Sequence, residues 1–324
     1  MKNQWKILGC VFLMVFFMML MGADAAEKDF PNKPLELIVP FAAGGSTDVM
    51  ARAMVARAAS FFNNQPILVV NKPGAGTVAG SRYVLDGKND GYTLYSASMS
   101  SLQVAPIMHK TNFTYKDFIG LAQVLWGGDA FYVKADLLYN TMEKFIEYAK
   151  QNPGKIKYTT AGAGSVPHLV MEGFAAATGI VIKHIPTKGD VEAATSILGG
   201  HVSAAAGNPI TFKPYEEAGK IKSLAQFCGE REKIFLPHTP TFKEQGIDVV
   251  LDQRRWVVVP KGVPPNLVRI LADNLKNLLH DKATLESLEK IQCPVYYLPP
   301  EQYERVMKES ETTLSSLFKL AGLK

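Results

Sequence analysis

The chain has 324 residues, and only three of them are cysteine. It has no long block of one charge and none of the short motifs that mark common catalytic centres. Each absence excludes something. Cys10, Cys228 and Cys293 cannot form a disulfide framework, and they lack the CxxC or Cys/His spacing of a zinc site. Whether Cys228 and Cys293 pair is left open, because sequence does not give their distance. The 35 Lys and Arg residues and 30 Asp and Glu residues are interspersed, so nothing points to nucleic acid or to an acidic membrane surface. GxSxG, Walker, HExxH and EF-hand strings are all missing. Gly74-Ala75-Gly76-Thr77-Val78-Ala79-Gly80 is one residue too long for a dinucleotide fingerprint. His168 and Glu172 stand four apart, but a metal needs more ligands than two. Asp48 and Arg52 have the spacing of a helix-stabilising pair. No cofactor, no metal and no catalytic residue is expected.

What is present begins at the N-terminus. Lys2 and Lys6 precede an uninterrupted apolar run, Ile7 to Gly22, and Ala23-Asp24-Ala25 supplies the small residues of a processing site. Residues 1–25 therefore read as a cleaved signal peptide. Cys10 precedes most of the apolar run, which argues against lipidation there. Loss of Lys2, Lys6 and Asp24 would lower the formal net charge from +5 to +4. No later stretch is long and apolar enough to span a bilayer. The remaining length, with 47% hydrophobic residues, suits two domains with full cores.

Strand and helix signals alternate along most of the chain, which predicts an α/β protein with mostly parallel sheets. Strands are expected at 35–41, 67–70, 92–96, 131–133, 157–160, 181–185, 201–206, 221–227 and 256–259. Helices are expected from Ser46 or Thr47 to about Phe62, after the loop Pro73-Gly74-Ala75-Gly76, at 141–150, from Val166, and at 265–279, 283–290 and 300–320. Leu267, Ile270, Leu271, Leu275 and Leu278 recur at helical spacing and mark a core face. Two strands end in Gly-rich turns that open a helix, Phe41 to Thr47 and Thr160 to Ser165. Ligands of open α/β sheets sit beyond the carboxyl ends of strands. A helix N-terminus offers free N–H groups and partial positive charge, and glycine lets an anion come close. The two turns together would grip a carboxylate; either alone reads as an ordinary capped helix start.

The residues also carry a family resemblance. Pro31-Asn32-Lys33-Pro34 and the run Leu37 to Asp48 are similar to the opening of the tripartite tricarboxylate transporter substrate-binding proteins (TctC or Bug family). So are Val70-Asn71-Lys72-Pro73-Gly74-Ala75-Gly76, Asp90-Gly91-Tyr92-Thr93-Leu94, Asn152-Pro153-Gly154-Lys155 and Ala161-Gly162-Ala163-Gly164-Ser165. His184-Ile185-Pro186-Thr187-Lys188-Gly189, Leu198-Gly199-Gly200 and Pro237-His238-Thr239-Pro240-Thr241 continue the match to the end of the chain in order.

The resemblance implies a two-domain periplasmic-binding-protein-like (type II) α/β fold with a hinged cleft. Residues 26–130 plus 254–324 would form one domain and 131–253 the other. It implies a monomeric periplasmic receptor, not an enzyme, that delivers a small carboxylate to the membrane permease subunits of a tripartite transporter. The candidate ligand-binding residues are Phe41, Ala43, Gly44, Gly45, Ser46, Thr47, Ser98, Gly162, Ala163, Gly164, Ser165, Lys188, Asn208 and Arg255. Departures from the family pattern sharpen this. Thr187 replaces a tyrosine, which would widen the pocket. Gly207 stands where an acid is usual, which argues against an amino-acid ligand and for a plain or multiply charged organic acid. Arg254 or Arg255 would meet a second carboxylate, since Arg can grip one bidentately; Trp256 fits a core role. Two other classes share the scaffold: a sensor presenting its ligand to a membrane kinase, and a secreted α/β hydrolase using Ser165 and His168.

Overall fold

The computed structural model describes residues 29–234 and 236–323. The expected signal peptide, residues 1–25 with Cys10, lies outside them. No helix among the described residues is long and apolar enough to cross a membrane.

Ten strands form two five-stranded sheets. The first holds β1 (Leu35–Val39), β2 (Ile67–Asn71), β3 (Thr93–Ser98), β4 (Phe118–Gly127) and β10 (Gln253–Pro260), in the order β2-β1-β3-β10-β4. The second holds β5 (Ala130–Lys134), β6 (Lys157–Thr160), β7 (Lys183–Pro186), β8 (Ala204–Gly207) and β9 (Ile221–Gln226), in the order β7-β6-β8-β5-β9. The elements on each sheet are called the first and second lobe below. The expectation of mostly parallel sheets needs correction. β1 runs parallel to β2 and β3, and β6 to β7 and β8. β10 is antiparallel to β3 and β4, and β5 to β8 and β9. The cause is the crossing of the chain: β5 and β10 each enter a sheet from the other lobe, so they approach from the opposite end.

Among the described residues ten helices flank the sheets: α1 (Ser46–Val55), α2 (Val78–Leu85), α3 (Ala105–Met108), α4 (Met142–Gln151) and α5 (Val166–Thr178), then α6 (Asp190–Leu198), α7 (Pro209–Glu217), α8 (Pro265–His280), α9 (Lys282–Lys290) and α10 (Tyr303–Leu320). α1 stops seven residues before the expected Phe62; a short 3-10 turn at Ala58–Ser60 and left-handed Asn63 and Asn64 replace its last turns. Thr141 caps α4 by accepting the Lys144 amide, as its sequence suggests. β4, α3, α6 and α7 have no counterpart among the expected elements.

Side chains alternate across the strands into two cores. Along β10, Trp256 and Val258 join one cluster while Val257 and Val259 join the other. β5 divides the same way, with Phe131 and Val133 against Tyr132. Both sheets are therefore covered on both faces, and each core runs through both lobes. The leucine stripe of α8 packs inward through Leu271, Leu275 and Leu278.

The chain passes between lobes at Gly127–Ala130 and returns before Gln253. Asp129 O accepts from Phe227 N–H at 3.0 Å, and Phe227 O from Leu251 N–H at 2.9 Å, so both crossings are stitched together. Cys228 and Cys293 are buried free thiols, and burial pushes the Cys293 thiol up to about 12. Gly128 lies against Cys228, and a Cβ at Gly128 would collide with its Sγ. Gly128→Ala should therefore cost about 1–3 kcal/mol of stability through overpacking. Adding Cys228→Ala should restore part of it. Urea unfolding of the single and double variants tests this, and an unchanged midpoint in Gly128→Ala would refute it.

Candidate binding site between the two lobes

A buried cavity lies where the carboxyl ends of β1 and β6 meet the crossing strands. Its walls are Phe41, Gly45, Ser46, Thr47 and Ser100 from the first lobe, Ala161, Ser165, Pro167 and Asp190 from the second, and Asp129, Gln253 and Arg255 from the crossings. Its volume is about 20 Å³, room for a water-sized group. Larger hollows exist, including an apolar groove of about 380 Å³ along Leu102, Ile107, Leu314 and Phe318, but that groove does not gather buried charges at strand ends.

The first wall follows from local sequence. Gly44 turns the chain at φ +80, a conformation cheap only for glycine. The Asp48 carboxylate accepts from the Gly44 amide at 2.9 Å, from Arg52 Nε at 3.1 and 3.0 Å, and from Asn71 Nδ2 at 2.9 Å. Burial opposes ionisation of Asp48, but these bonds outweigh it and hold its pKa below the ordinary carboxylate value. The Gly44 amide is thus committed to bracing the loop. At α1 the N-cap is Gly45, with no capping side chain. The first-turn amides of the buried residues Ser46 and Thr47 are left as an anion-binding end.

The second Gly-rich turn differs. Ser165 Oγ accepts the His168 amide at 3.3 Å and donates to Gly162 O at 2.8 Å. The Val166 amide donates to Ser100 Oγ, across the cleft, at 2.9 Å. Pro167 has no N–H. The N-terminus of α5 is therefore already satisfied, and the expected symmetry between the two turns does not hold. The uncapped partner facing α1 is α6, whose N-cap is Gly189 and whose first residue is Asp190.

The charges converge on this gap. Arg255 Nη2 donates to Ser46 Oγ at 2.9 Å, and Ser46 Oγ donates to Asp190 Oδ2 at 2.6 Å. Arg255 is 4% exposed, and its Nε and Nη1 have no partner, nor has Gln253 Oε1. Asp129 accepts from Asn208 Nδ2 at 3.1 Å and Gln253 Nε2 at 3.2 Å. Burial raises the pKa of Asp129 despite nearby Arg255. Burial, then the charge of Asp129, raises Asp190 to about 6, against the pull of Ser46, Arg255 and the Asn208 backbone.

Of the expected residues, Phe41, Gly45, Ser46, Thr47, Ser165 and Arg255 line the cavity. Asn208 stands behind it, caps α7 through the Ile210 amide and orients Asp129. Ser98 is buried opposite Arg255 in the ladder but is not on the wall. Ala43, Gly44, Gly162, Ala163 and Gly164 form the loops around it; Ala163 O lies 3.3 Å from His109 Nε2 across the cleft. Lys188 is exposed, with its amide bonded to Glu192, so its side chain does not reach the wall. Thr187 does not widen the site: its hydroxyl donates to Thr160 O at 2.8 Å and Gly189 O at 3.0 Å. Strand alternation separates the two arginines. Arg254 turns to the other face, to Gln123 Oε1 at 3.2 Å, and Trp256 packs edge-on against Tyr303.

Asp129, Asp190, Gln253 and Ser100 were missed. Asp190 reads in sequence as an ordinary first-turn acid, and nothing local reveals its burial. The acid thought lost at Gly207 is supplied by it: a Cβ at Gly207 would lie 2.7 Å from Asp190 Oδ1. Ser165 caps the helix by accepting the His168 amide, while the ring nitrogens of His168 face the Gly164 amide and Glu172. The His168 ring stacks on His184 at 4.0 Å, and burial, then His109, lowers its pKa to about 4. His168 Nε2 lies 3.8 Å from Glu172, and no metal-type cluster occurs among the described residues.

With this geometry in view, the comparisons are specific. The family profile of the tripartite tricarboxylate transporter family receptor, TctC, matches residues 50–323. The chain belongs to this family. A relative of this TctC receptor, the UPF0065 protein in the gbd 5' region of Cupriavidus necator, is 35% identical, over 94% of this chain and 92% of its own. A TctC solute-binding protein from Polaromonas, solved with no ligand, is 33% identical with a TM-score of 0.65, covering 89% of this chain and 99% of its own. Rpa4515 of R. palustris, solved with adipate, is 27% identical with a TM-score of 0.81, covering 91% and 99%. The two-lobed α/β fold is that of periplasmic binding proteins.

One prediction follows from Asp190. Its carboxyl holds a proton in the folded receptor up to about pH 6 but only to about 3.8 when unfolded. Stability contributed by the protonated form is complete below pH 4 and lost as pH rises through 6. Asp190→Asn should therefore melt higher than wild type at pH 7.5, by up to about 3 kcal/mol. The gap should close between pH 6 and pH 4. Thermal melts across that range measure it, and a variant that is less stable at pH 7.5 would contradict it.

Proposed function

We propose that this TctC receptor is a periplasmic, non-enzymatic solute-binding protein. It takes up a small organic carboxylate between its lobes and delivers it to the membrane subunits of a tripartite tricarboxylate-type transporter. The carrying observation is Arg255: a buried guanidinium on the cavity wall with Nε and Nη1 unpartnered, beside the uncapped N-terminus of α1. Both features ask for an oxyanion, and a guanidinium fork suits a carboxylate. Adipate, the molecule solved with Rpa4515, is a dicarboxylate. The cavity as it stands is too small for such an acid, so entry requires the lobes to part about the crossings at Gly127–Ala130 and Gln253. The ligand-free Polaromonas protein, though more identical, superposes less well than adipate-bound Rpa4515 does, as lobes set at different angles would give.

Calorimetric titration against mono-, di- and tricarboxylates and aromatic acids tests the reading. One class should bind and raise the melting temperature. Arg255→Ala should weaken that ligand by about 30-fold or more, the usual result of removing one partner of a buried charged pair. Gly45→Val, which fills the gap between the ends of α1 and α6, should abolish binding. Silence across the panel, or full affinity in Arg255→Ala, would sink the assignment.

A further inference from the structure

The cavity leaves polar atoms of both signs unpartnered. Arg255 Nε and Nη1 are donors without an acceptor, and Gln253 Oε1 is an acceptor without a donor. Both residues are more than nine-tenths buried on the same wall. Asp190 adds a carboxylate with a single side-chain partner, Ser46, although a carboxylate can accept several bonds. A plain dicarboxylate would satisfy Arg255 and leave the acceptors facing its own negative charge. Asp129 and Asp190 would then confront a dianion with one guanidinium between them, a costly arrangement at low dielectric.

We propose that the ligand carries, besides its carboxylate, a protic hydrogen-bond donor, a hydroxyl or an ammonium, and that Asp190 with Gln253 selects for it. Arg255 takes the carboxylate, and the donor lies toward Asp190. The design depends on Gly207. Any side chain there would run into both Asp190 Oδ1 and the Phe212 ring, so the missing Cβ creates the berth for the Asp190 carboxylate. The carboxylate thus comes from the N-terminus of α6 instead of the end of β8. This inference rests on the carboxylate reading and narrows it.

Matched acids of one carbon skeleton test it: propionate, lactate and alanine; succinate, malate and aspartate; glutarate, 2-hydroxyglutarate and glutamate; with adipate as a further plain acid. In calorimetric titrations of the purified protein, a donor-bearing member should bind about 10- to 100-fold tighter than its plain counterpart, the range for a hydrogen bond to a charged group. The hydroxy and amino arms decide which donor is meant. Asp190→Ala should abolish the preference while its own melting shows it folded; Asp190→Asn should abolish a preference for the amine. Plain acids binding as tightly as their donor-bearing partners would overturn this inference and leave the carboxylate reading standing. A preference that persists in Asp190→Ala would overturn the role of Asp190. If no acid of these series or of the wider carboxylate panel binds, the carboxylate reading itself fails.

Discussion

A guanidinium removed from water carries a large desolvation cost unless its donors are met, and Arg255 has only one of them met by the protein. That constraint organises the site. Ser46 accepts from Arg255 and passes a bond to Asp190, so one hydroxyl ties a crossing strand to both lobes. The remaining donors are unpartnered on a residue that lines a cavity walled by an uncapped helix end and two carboxylates. A charge so placed has little use in stabilising a fold, because apolar residues of similar volume generally serve as well or better there. In the proposed function its use is recognition.

The sheets explain how the charge comes to be there. β10 is the return crossing, central in the first sheet between β3 and β4. Its residues alternate between the two cores, so its cavity-lining positions Gln253 and Arg255 sit beside the crossing while Arg254 and Trp256 face the opposite side. The antiparallel insertion of β5 and β10 thus connects the lobes and also carries polar groups into the cleft.

Much of this was legible in sequence where the signal is local. β1, the Gly-Gly turn and the start of α1 follow from an apolar run and the backbone demands at Gly44. The Ser165 cap follows from residue type and position. What sequence could not give depends on packing at a distance. Both Gly-rich turns look alike as strings, yet α5 is capped from the other lobe by Ser100, and α1 is not capped by any side chain. Asp190 lies 17 residues before Gly207 in the chain, and only the pairing of β8 with its neighbours makes one the complement of the other. α7 carries two prolines, which weaken a helical signal in sequence; Pro209 sits in the opening turn, where proline is tolerated, and Pro214 is carried inside the helix. The assignment to the family rested on ordered motifs along the whole chain, which is why it stands while several individual residues moved.

The Ser100 hydroxyl that caps α5 has a consequence for the empty receptor. It belongs to one lobe and serves a helix of the other, so it holds only while the lobes are together. Exchanging such a bond for water costs about 1 kcal/mol, several-fold in a population ratio. Together with the Ser46–Asp190 contact, it adds to the stability of the shut form independently of any solute. On the proposed function, a membrane partner that recognised only the outline of a shut receptor would not distinguish loaded from unloaded copies. Delivery would then require it to sense what fills the cleft, or to favour the loaded form through the speed with which an unloaded one falls open.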